Sequence, residues 1–457
     1  MKDVKFLVDL GSTFTKVVVI DTEGEKIVGR AQSYSTVDTD VMTGLLEAME
    51  DAKKMAGLGK IDKESVLACS SAAGGLKMVC VGFVPELSLK AGELAALGAG
   101  ARLLECCSYK LTHSELARIH SISPDVILLV GGTDGGNSDV VLHNADMLAS
   151  SPVSAVIVVA CNKVVQEQVE SILGRSGKKV RLAKNVMPEI GTLEAESSRN
   201  VIRDVFVKNI VKAKGMDKVM NVVNEVVMPT PTAVLNAARL LSEGMKGEPG
   251  LGEMMVVDVG GATTDVHSIS AVHQVEGAIM KNLLPEPYVK RTVEGDLGVR
   301  HNLDVLLTIG QAKGVVDERD IEAIKSSLNP RKLPENEMEE LLDMKLAQIA
   351  SEVAVERHVG RLEQWYGPTG RMLVQRGKNL RSVASVIGTG GAIVFARNPK
   401  MVLEGVLFDE KKPNLLKPES AKFYIDNSYV LYAVGLLANV AARKALRIGK
   451  RYLEGSI

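Results

Sequence analysis

Apolar residues in this chain gather in short runs separated by glycines and polar turns, and the lengths of those runs predict alternating strands and helices. Lys5-Phe-Leu-Val-Asp-Leu-Gly11 is a β-rich run ending in glycine, and Lys16-Val-Val-Val-Ile20 is a second. Both fit strands better than helices. Asp21-Thr-Glu-Gly24 is turn chemistry, so residues 25–30 can return as a third strand. A helix over 43–55 and a strand over 65–70 follow.

The opening pattern recurs in Met254-Met-Val-Val-Asp258-Val-Gly-Gly-Ala-Thr-Thr-Asp-Val266, again an apolar strand, an Asp, a glycine turn, a Thr and a strand. One constant offset superposes Asp9 on Asp258, Gly11 on Gly260, Thr15 on Thr264 and Val17 on Val266. At nearly the same offset, Val126-Ile-Leu-Leu-Val-Gly-Gly132 matches Val386-Ile-Gly-Thr-Gly-Gly391, each a strand running into glycines. These pairs predict two related halves, 1–243 and 244–457, with the second glycine pair as structural mirrors. Between them, an apolar run over 154–160, a helical stretch and a run over 179–182 predict a βαβ unit inserted into the first half at about 151–190. Residues 200–214 and 233–241 read as helices, the second after Pro229-Thr-Pro231 and rich in small residues. The glycine-rich stretch 244–252 opens the second half, and 317–361 is charged and helical, its charge runs read as solvated faces.

Composition narrows the class without naming a function. The 457 residues include 55 Lys+Arg and 56 Asp+Glu, a formal net charge of −1, so the chain lacks the basic surplus of a dedicated nucleic-acid binder. Aromatics are only 4% against 42 Gly and 18 Met, so aliphatic residues and Met must fill the cores, as in parallel sheets covered by helices. The five cysteines form no C-x-x-C pair and read as reduced thiols, and no apolar run has membrane-spanning length. The expectation is a soluble, cytoplasmic α/β protein with neither membrane nor nucleic acid as partner.

Candidate chemistry lies in the two Asp-Gly turns. A strand ending in Asp and a glycine turn places a carboxylate beside backbone N–H donors, where phosphate oxygens and a magnesium ion can share them. Gly11, Gly260 and Gly261 would admit phosphate, Ser12, Thr13, Thr15, Thr263 and Thr264 would add hydroxyls, Lys16 a cation, and Asp9 and Asp258 would face the metal directly or through water. Gly388, Thr389, Gly390 and Gly391 offer a flat surface for an adenine and ribose.

The order of these motifs resembles the actin-like ATPase superfamily of sugar kinases, actin and heat-shock chaperone ATPases. Asp9-Leu-Gly-Ser-Thr-Phe-Thr-Lys16 is similar to its first phosphate loop, Asp258-Val-Gly-Gly-Ala-Thr-Thr-Asp265 to its second, and Ile387-Gly-Thr-Gly-Gly-Ala392 to its adenosine loop. Pro231-Thr-Ala-Val-Leu-Asn-Ala-Ala238 and Tyr429-Val-Leu-Tyr-Ala-Val-Gly-Leu-Leu-Ala438, the latter within a helix expected at about 428–446, resemble its two connecting helices. The resemblance implies a duplicated ribonuclease-H-like fold with ATP and Mg2+ between two domains. Thr230 stands where the chaperone ATPases carry a Glu, so Asp258 becomes the first candidate to polarise an attacking water, with Glu294 and Asp296 as alternatives.

Within that superfamily, 126–137, 257–267 and Arg291-Thr-Val-Glu-Gly-Asp-Leu-Gly298 resemble the MutL (GlmL) family that accompanies adenosylcobalamin-dependent glutamate mutase and shares only a name with mismatch-repair MutL. That resemblance implies an ATP-hydrolysing chaperone or reactivating factor whose partner is a cobalamin-dependent mutase, with adenosylcobalamin reached only through the partner; a homo-oligomer is left open. Alternatives are a small-molecule kinase of the same fold, an ATP-driven reductive activator, or a nucleotide-binding scaffold without turnover. Asp265-Val-His267 begins the D-x-H-x-x-G pattern of a cobalt ligand, but Ser270 replaces its glycine, so His267 reads as structural. Cys106, Cys107 and Cys161 do not reproduce the cysteine arrangement of the activators.

Overall fold

A computed structural model of the chain describes residues 3–11, 14–35, 41–71, 76–210, 216–327, 334, 336–367 and 370–453. The first apolar runs pair as the pattern requires. β1 (Val4–Leu10) and β2 (Phe14–Asp21) form an antiparallel hairpin, β3 (Lys26–Tyr34) extends it, and β4 (Val66–Ser70) lies parallel on the other side of β1. The chain then leaves this sheet for β5 (Lys77–Val81), β6 (Arg102–Cys107), β7 (Val126–Leu129), β8 (Val156–Val159) and β9 (Lys179–Leu182). It returns as β10 (Glu225–Pro229), parallel to β4, which completes the order β3-β2-β1-β4-β10.

The second half begins with a two-residue hairpin, β11 (Gly244–Met245) and β12 (Glu248–Pro249), and repeats the first topology. β13 (Met254–Val259) pairs antiparallel with β14 (Thr264–Ile269); β15 (Ala278–Met280) follows, and β16 (Val289–Glu294) adds antiparallel to β14. β17 (Arg361–Gly367) and β18 (Gly370–Arg376) join β15 in a small sheet. β19 (Ser385–Thr389) and β20 (Lys422–Ile425) run parallel beside β13, giving β16-β14-β13-β19-β20. Three antiparallel strands followed by two parallel ones, in the same connection order twice, is a duplicated ribonuclease-H-like fold, the fold of the actin-like ATPases.

Two helices are sandwiched between the repeated sheets. Thr230–Glu243 follows β10, Leu431–Leu453 follows β20, and one core joins them to Leu7, Val18 and Ile20 of the first sheet and Met254, Val256 and Ile269 of the second. They cross where a Cβ on Gly435 would lie 1.9 Å from the Ala233 carbonyl oxygen, so only glycine permits the approach. The second helix changes direction at Ala441, whose φ of −151° is not helical. No helix among the described residues is long and apolar enough to cross a membrane.

Three features differ from the sequence reading. The Val126–Leu129 strand is not the mirror of Ser385–Thr389: β19 lies beside β13 as β4 lies beside β1, whereas β7 sits in a separate parallel sheet. A strand running into glycines marks the carboxyl end of many parallel strands and does not say which sheet the strand joins. That separate sheet has the order β6-β5-β7-β8-β9, so the βαβ unit expected at 151–190 is its outer part and the sheet itself begins at Lys77. The third difference is the charged third quarter. The Glu337–His358 helix buries Leu342, Leu346, Ile349, Val353 and Ala354, and its Asp343 is itself buried against Arg300. Its charges tie neighbouring elements together: Lys345 pairs with Asp320 at 2.6 Å, and Arg357 with Glu294 at 2.6 Å and Asp296 at 2.8 Å.

Candidate functional site

The duplicated hairpins place their aspartates in the same structural position. Asp9 on β1 lies opposite Lys16 on β2, and Asp258 on β13 lies opposite Asp265 on β14. Both turns close the same way, Gly11 N donating to Phe14 O at 3.2 Å and Gly260 N to Thr263 O at 2.9 Å. A Cβ on Gly11 would lie 2.4 Å from the Phe14 carbonyl oxygen, which explains why glycine opens the turn. The two turns face each other across a cavity of about 420 Å3 between the halves, lined by Asp9, Gly11, Lys16, Asp258, Gly260 and Gly261. Thr230, Thr263, Gly390 and Gly391 add to its polar wall, which also carries Arg102, Asp265, Arg291, Arg300, Glu340 and Asp343, and Phe14, Phe395 and Tyr429 contribute aromatic surface.

Neighbours set the carboxylates apart. Asp9 is only 3% exposed and accepts a hydrogen bond from Thr230 Oγ1 at 2.6 Å, while Lys16 Nζ stands 3.6 Å from its other oxygen. Asp258, half-buried at the cavity wall, has no hydrogen-bond partner among the described residues. Burial, reinforced by the Asp265 charge and only partly offset by Lys16, pushes its carboxyl up to about 7. Asp265 is neutralised by Arg291, whose guanidinium donates to Asp265 Oδ1 at 2.6 and 2.9 Å. The same arginine reaches the Leu97 and Ala101 carbonyls of the first half at 2.9 and 3.3 Å, bridging the halves. Lys16 thus acts on both Asp9 and Asp258 at the cavity wall.

The sequence candidates divide into those that reach the cavity and those that support it. Asp9, Gly11, Lys16, Asp258, Gly260, Gly261, Thr263, Gly390 and Gly391 line it; Ser12 and Thr13 lie outside the described residues. Thr15 and Thr264 are buried, their hydroxyls committed to Ser35 Oγ at 3.1 Å and the Leu297 carbonyl at 2.8 Å. Gly388 is enclosed within β19, and Thr389 donates to Asp426 at 3.0 Å. Asp426 in turn accepts from Val430 N at 2.6 Å and Leu431 N at 3.3 Å, and burial pushes it up to about 6. Gly390 has φ 85°, and a Cβ there would lie 2.5 Å from Asp258 Oδ1, so this glycine loop packs directly behind the second aspartate. Sequence reasoning gave no individual role to Asp265, Arg291, Tyr429 or Asp426, although the first three lie within the motifs it quoted.

Other candidates fall away from the cavity. Glu294 and Asp296 are both held by Arg357 and do not line it. His267 is fully buried in β14, neither ring nitrogen has a partner among the described residues, and burial pushes its pKa down to about 3, so it is a neutral interior residue. Cys106 and Cys107 lie on β6, separated from Cys161 after β8 by β5 and β7. Burial pushes the Cys107 and Cys161 thiols up to about 12.

A profile of the MutL protein family matches residues 5–453. The chain belongs to that family. Protein MutL of Clostridium tetanomorphum is 44% identical over 461 residues, spanning 99% of each chain. Among solved structures, the ethanolamine utilization protein EutJ of Carboxydothermus hydrogenoformans aligns with 97% of this MutL-family chain and 89% of its own, at 12% identity and TM-score 0.27. Xylulose kinase of Bifidobacterium adolescentis aligns over 98% and 93%, at 11% identity and TM-score 0.30.

Proposed function

We propose that this MutL-family protein binds ATP with Mg2+ between its two halves, hydrolyses it, and uses the cycle to reactivate an adenosylcobalamin-dependent mutase, glutamate mutase or a relative. The observation that carries the reading is the opposition of the two Asp-Gly turns, Asp9 paired and Asp258 unpaired, across one cavity.

In this reading the backbone N–H groups of both turns, with Ser12, Thr13 and Thr263, receive the phosphates, and Gly390 and Gly391 receive the adenosine. Lys16 presents its ammonium to the phosphate chain from between Asp9 and the Tyr429 ring. Among the described residues no three His, Cys, Asp or Glu side chains converge as a complete metal cage. Mg2+ keeps several waters and uses one or two carboxylates plus phosphate oxygens, and Asp9 and Asp258 would be those carboxylates. When bound, Mg2+ would neutralise charge on the phosphates and lower the proton affinity of the Asp258 carboxylate beside it. Thr230 holds Asp9 in place, and Asp258 orients the attacking water and takes its proton as the bond from the terminal phosphorus to ADP breaks. Thr15, Thr264, Gly388 and Thr389 support these groups from behind. Opening and closing about the Gly435–Ala233 crossing would be transmitted to the mutase's subunit interface, letting damaged cobalamin leave.

Phosphate release should be measured with Mg-ATP alone, then with mutase inactivated by cyanocobalamin plus fresh adenosylcobalamin. Turnover that tracks recovered mutase activity is expected. Absence of turnover, or transfer of the phosphoryl group to a small molecule, overturns the reading.

A further inference from the structure

The tyrosine two residues before the last helix combines backbone strain, burial and an unused hydroxyl at one point of the cavity wall. Tyr429 adopts φ 48°, a left-handed conformation that costs a residue with a Cβ and persists only where its surroundings impose it. Its N–H donates to the Asp426 carbonyl at 2.9 Å, in the turn where the Asp426 side chain holds Val430 and Leu431. The turn delivers the ring to the cavity. There the ring is 8% exposed, tilted against Phe395 with centroids 5.9 Å apart, and the Lys16 ammonium lies 4.2 Å from its centroid.

The hydroxyl has no partner among the described residues and lies 3.5 Å from where a Cβ on Gly391 would be. Buried tyrosines ordinarily find a hydrogen-bond partner. The two tyrosines of the helix that follows do: Tyr432 donates to the Leu7 carbonyl at 3.2 Å, and Tyr452 accepts from Ile27 N at 2.7 Å. Tyr429 alone of the three turns a polar group toward the cavity, where burial and the nearby Asp258, Asp426 and Asp9 keep it protonated and able to donate.

We infer that Tyr429 is a nucleotide-binding residue with two functions: its hydroxyl donates to a ribose or α-phosphate oxygen lying against Gly391, and its ring positions the Lys16 ammonium. The inference rests on the nucleotide reading above and deepens it, because one side chain of the second half then holds both the nucleoside end of the ligand and the lysine of the first half. Without the ring, Lys16 is free to move the remaining distance onto Asp9 and away from the phosphates.

Tyr429→Phe keeps the ring and removes the hydroxyl; Tyr429→Leu removes both. Binding of ADP, AMP and adenosine should be measured by calorimetry, and kcat and KM for ATP by phosphate release. The Phe variant is expected to bind ADP about 2- to 10-fold more weakly, the effect of one lost hydrogen bond, with kcat unchanged. A ribose contact weakens adenosine equally; an α-phosphate contact weakens only ADP and AMP. The Leu variant is expected to show the same affinity loss and a lower kcat, which the Phe variant restores. Wild-type ADP affinity in the Phe variant overturns the hydroxyl contact, and unchanged kcat in the Leu variant overturns the positioning of Lys16. Absence of nucleotide binding by the unmutated protein would instead overturn the ATP reading itself, and this inference with it.

Discussion

Thr230 Oγ1 donates to Asp9 Oδ1 across 2.6 Å, joining the first residue of one interior helix to the end of the first strand. The bond leaves Asp9 one oxygen for Lys16 and for a cation. Replacing Thr230 by Val keeps the shape of the side chain and removes the donor. A hydrogen bond to a charged acceptor is worth about 1.5–3 kcal/mol, so ATP turnover is expected to fall by roughly ten- to a hundredfold, with Thr230→Ser close to wild type. Equal rates in the Val and Ser variants would detach Thr230 from the reaction.

Asp258 carries an elevated pKa of about 7, and the sign of its effect on stability follows. A carboxyl raised on folding contributes stability that is fully present below its unfolded pKa and is lost as pH rises through the folded value. Asp258→Asn is therefore expected to melt above wild type at pH 8, with the difference shrinking toward pH 4, while turnover falls by about a hundredfold or more. Mg2+ with ADP should raise the melting temperature of wild type more than that of Asp258→Asn. Thermal scans across pH with and without Mg-ADP test both statements.

Gly390→Ala addresses the packing of the glycine loop behind Asp258. The new Cβ would lie 2.4 Å from the Val259 carbonyl oxygen and 2.5 Å from Asp258 Oδ1, at a backbone φ of 85°. The loop must move and Asp258 with it, so nucleotide affinity and turnover should both drop, whereas alanine at the open Gly252 should retain turnover; equal turnover in the two variants would separate the loop from the site.

Gly435→Ala places a Cβ 1.9 Å from the Ala233 carbonyl oxygen at the crossing of the interior helices. Overpacking of this kind costs about 1–3 kcal/mol, measurable as a lower urea midpoint. A variant with unchanged stability would show that the helices separate freely at this crossing.

His267→Leu tests whether the histidine serves a cobalt-containing cofactor. Both ring nitrogens are buried without partners among the described residues, so removing them is expected to leave stability equal or higher. The absorption spectrum of hydroxocobalamin added to either protein should be identical, and a spectral change seen only with His267 present would contradict the interior role.

The hairpin repeat was legible from residues alone because Asp9-x-Gly11 and Asp258-x-Gly260 record local necessities: a strand of fixed length, a glycine where a Cβ meets the carbonyl three residues on, and a strand back. The small-residue helices were legible for a similar reason, since Ala233 and Gly435 mark close backbone approach. The third element of the repeat was not. Val126–Leu129 and Ser385–Thr389 look alike as strings, yet β7 and β19 lie in sheets of different topology, and strand pairing is decided between segments far apart in the chain.

Local pattern therefore determined the strands, the turns and many of the residues that line the cavity, because each depends on a few neighbouring side chains. Tertiary structure alone decided their electrostatic character. Asp9 and Asp258 occupy equivalent positions in equivalent turns, but Thr230 and Lys16 reach the first while the second meets the Asp265 charge and, among the described residues, no donor. The same holds for Tyr429, an unremarked residue at a helix start until folding sets its ring over Lys16 and its hydroxyl beside Gly391. Charge interaction and desolvation depend on distances through space, and those distances exist only once both halves have closed around the cavity.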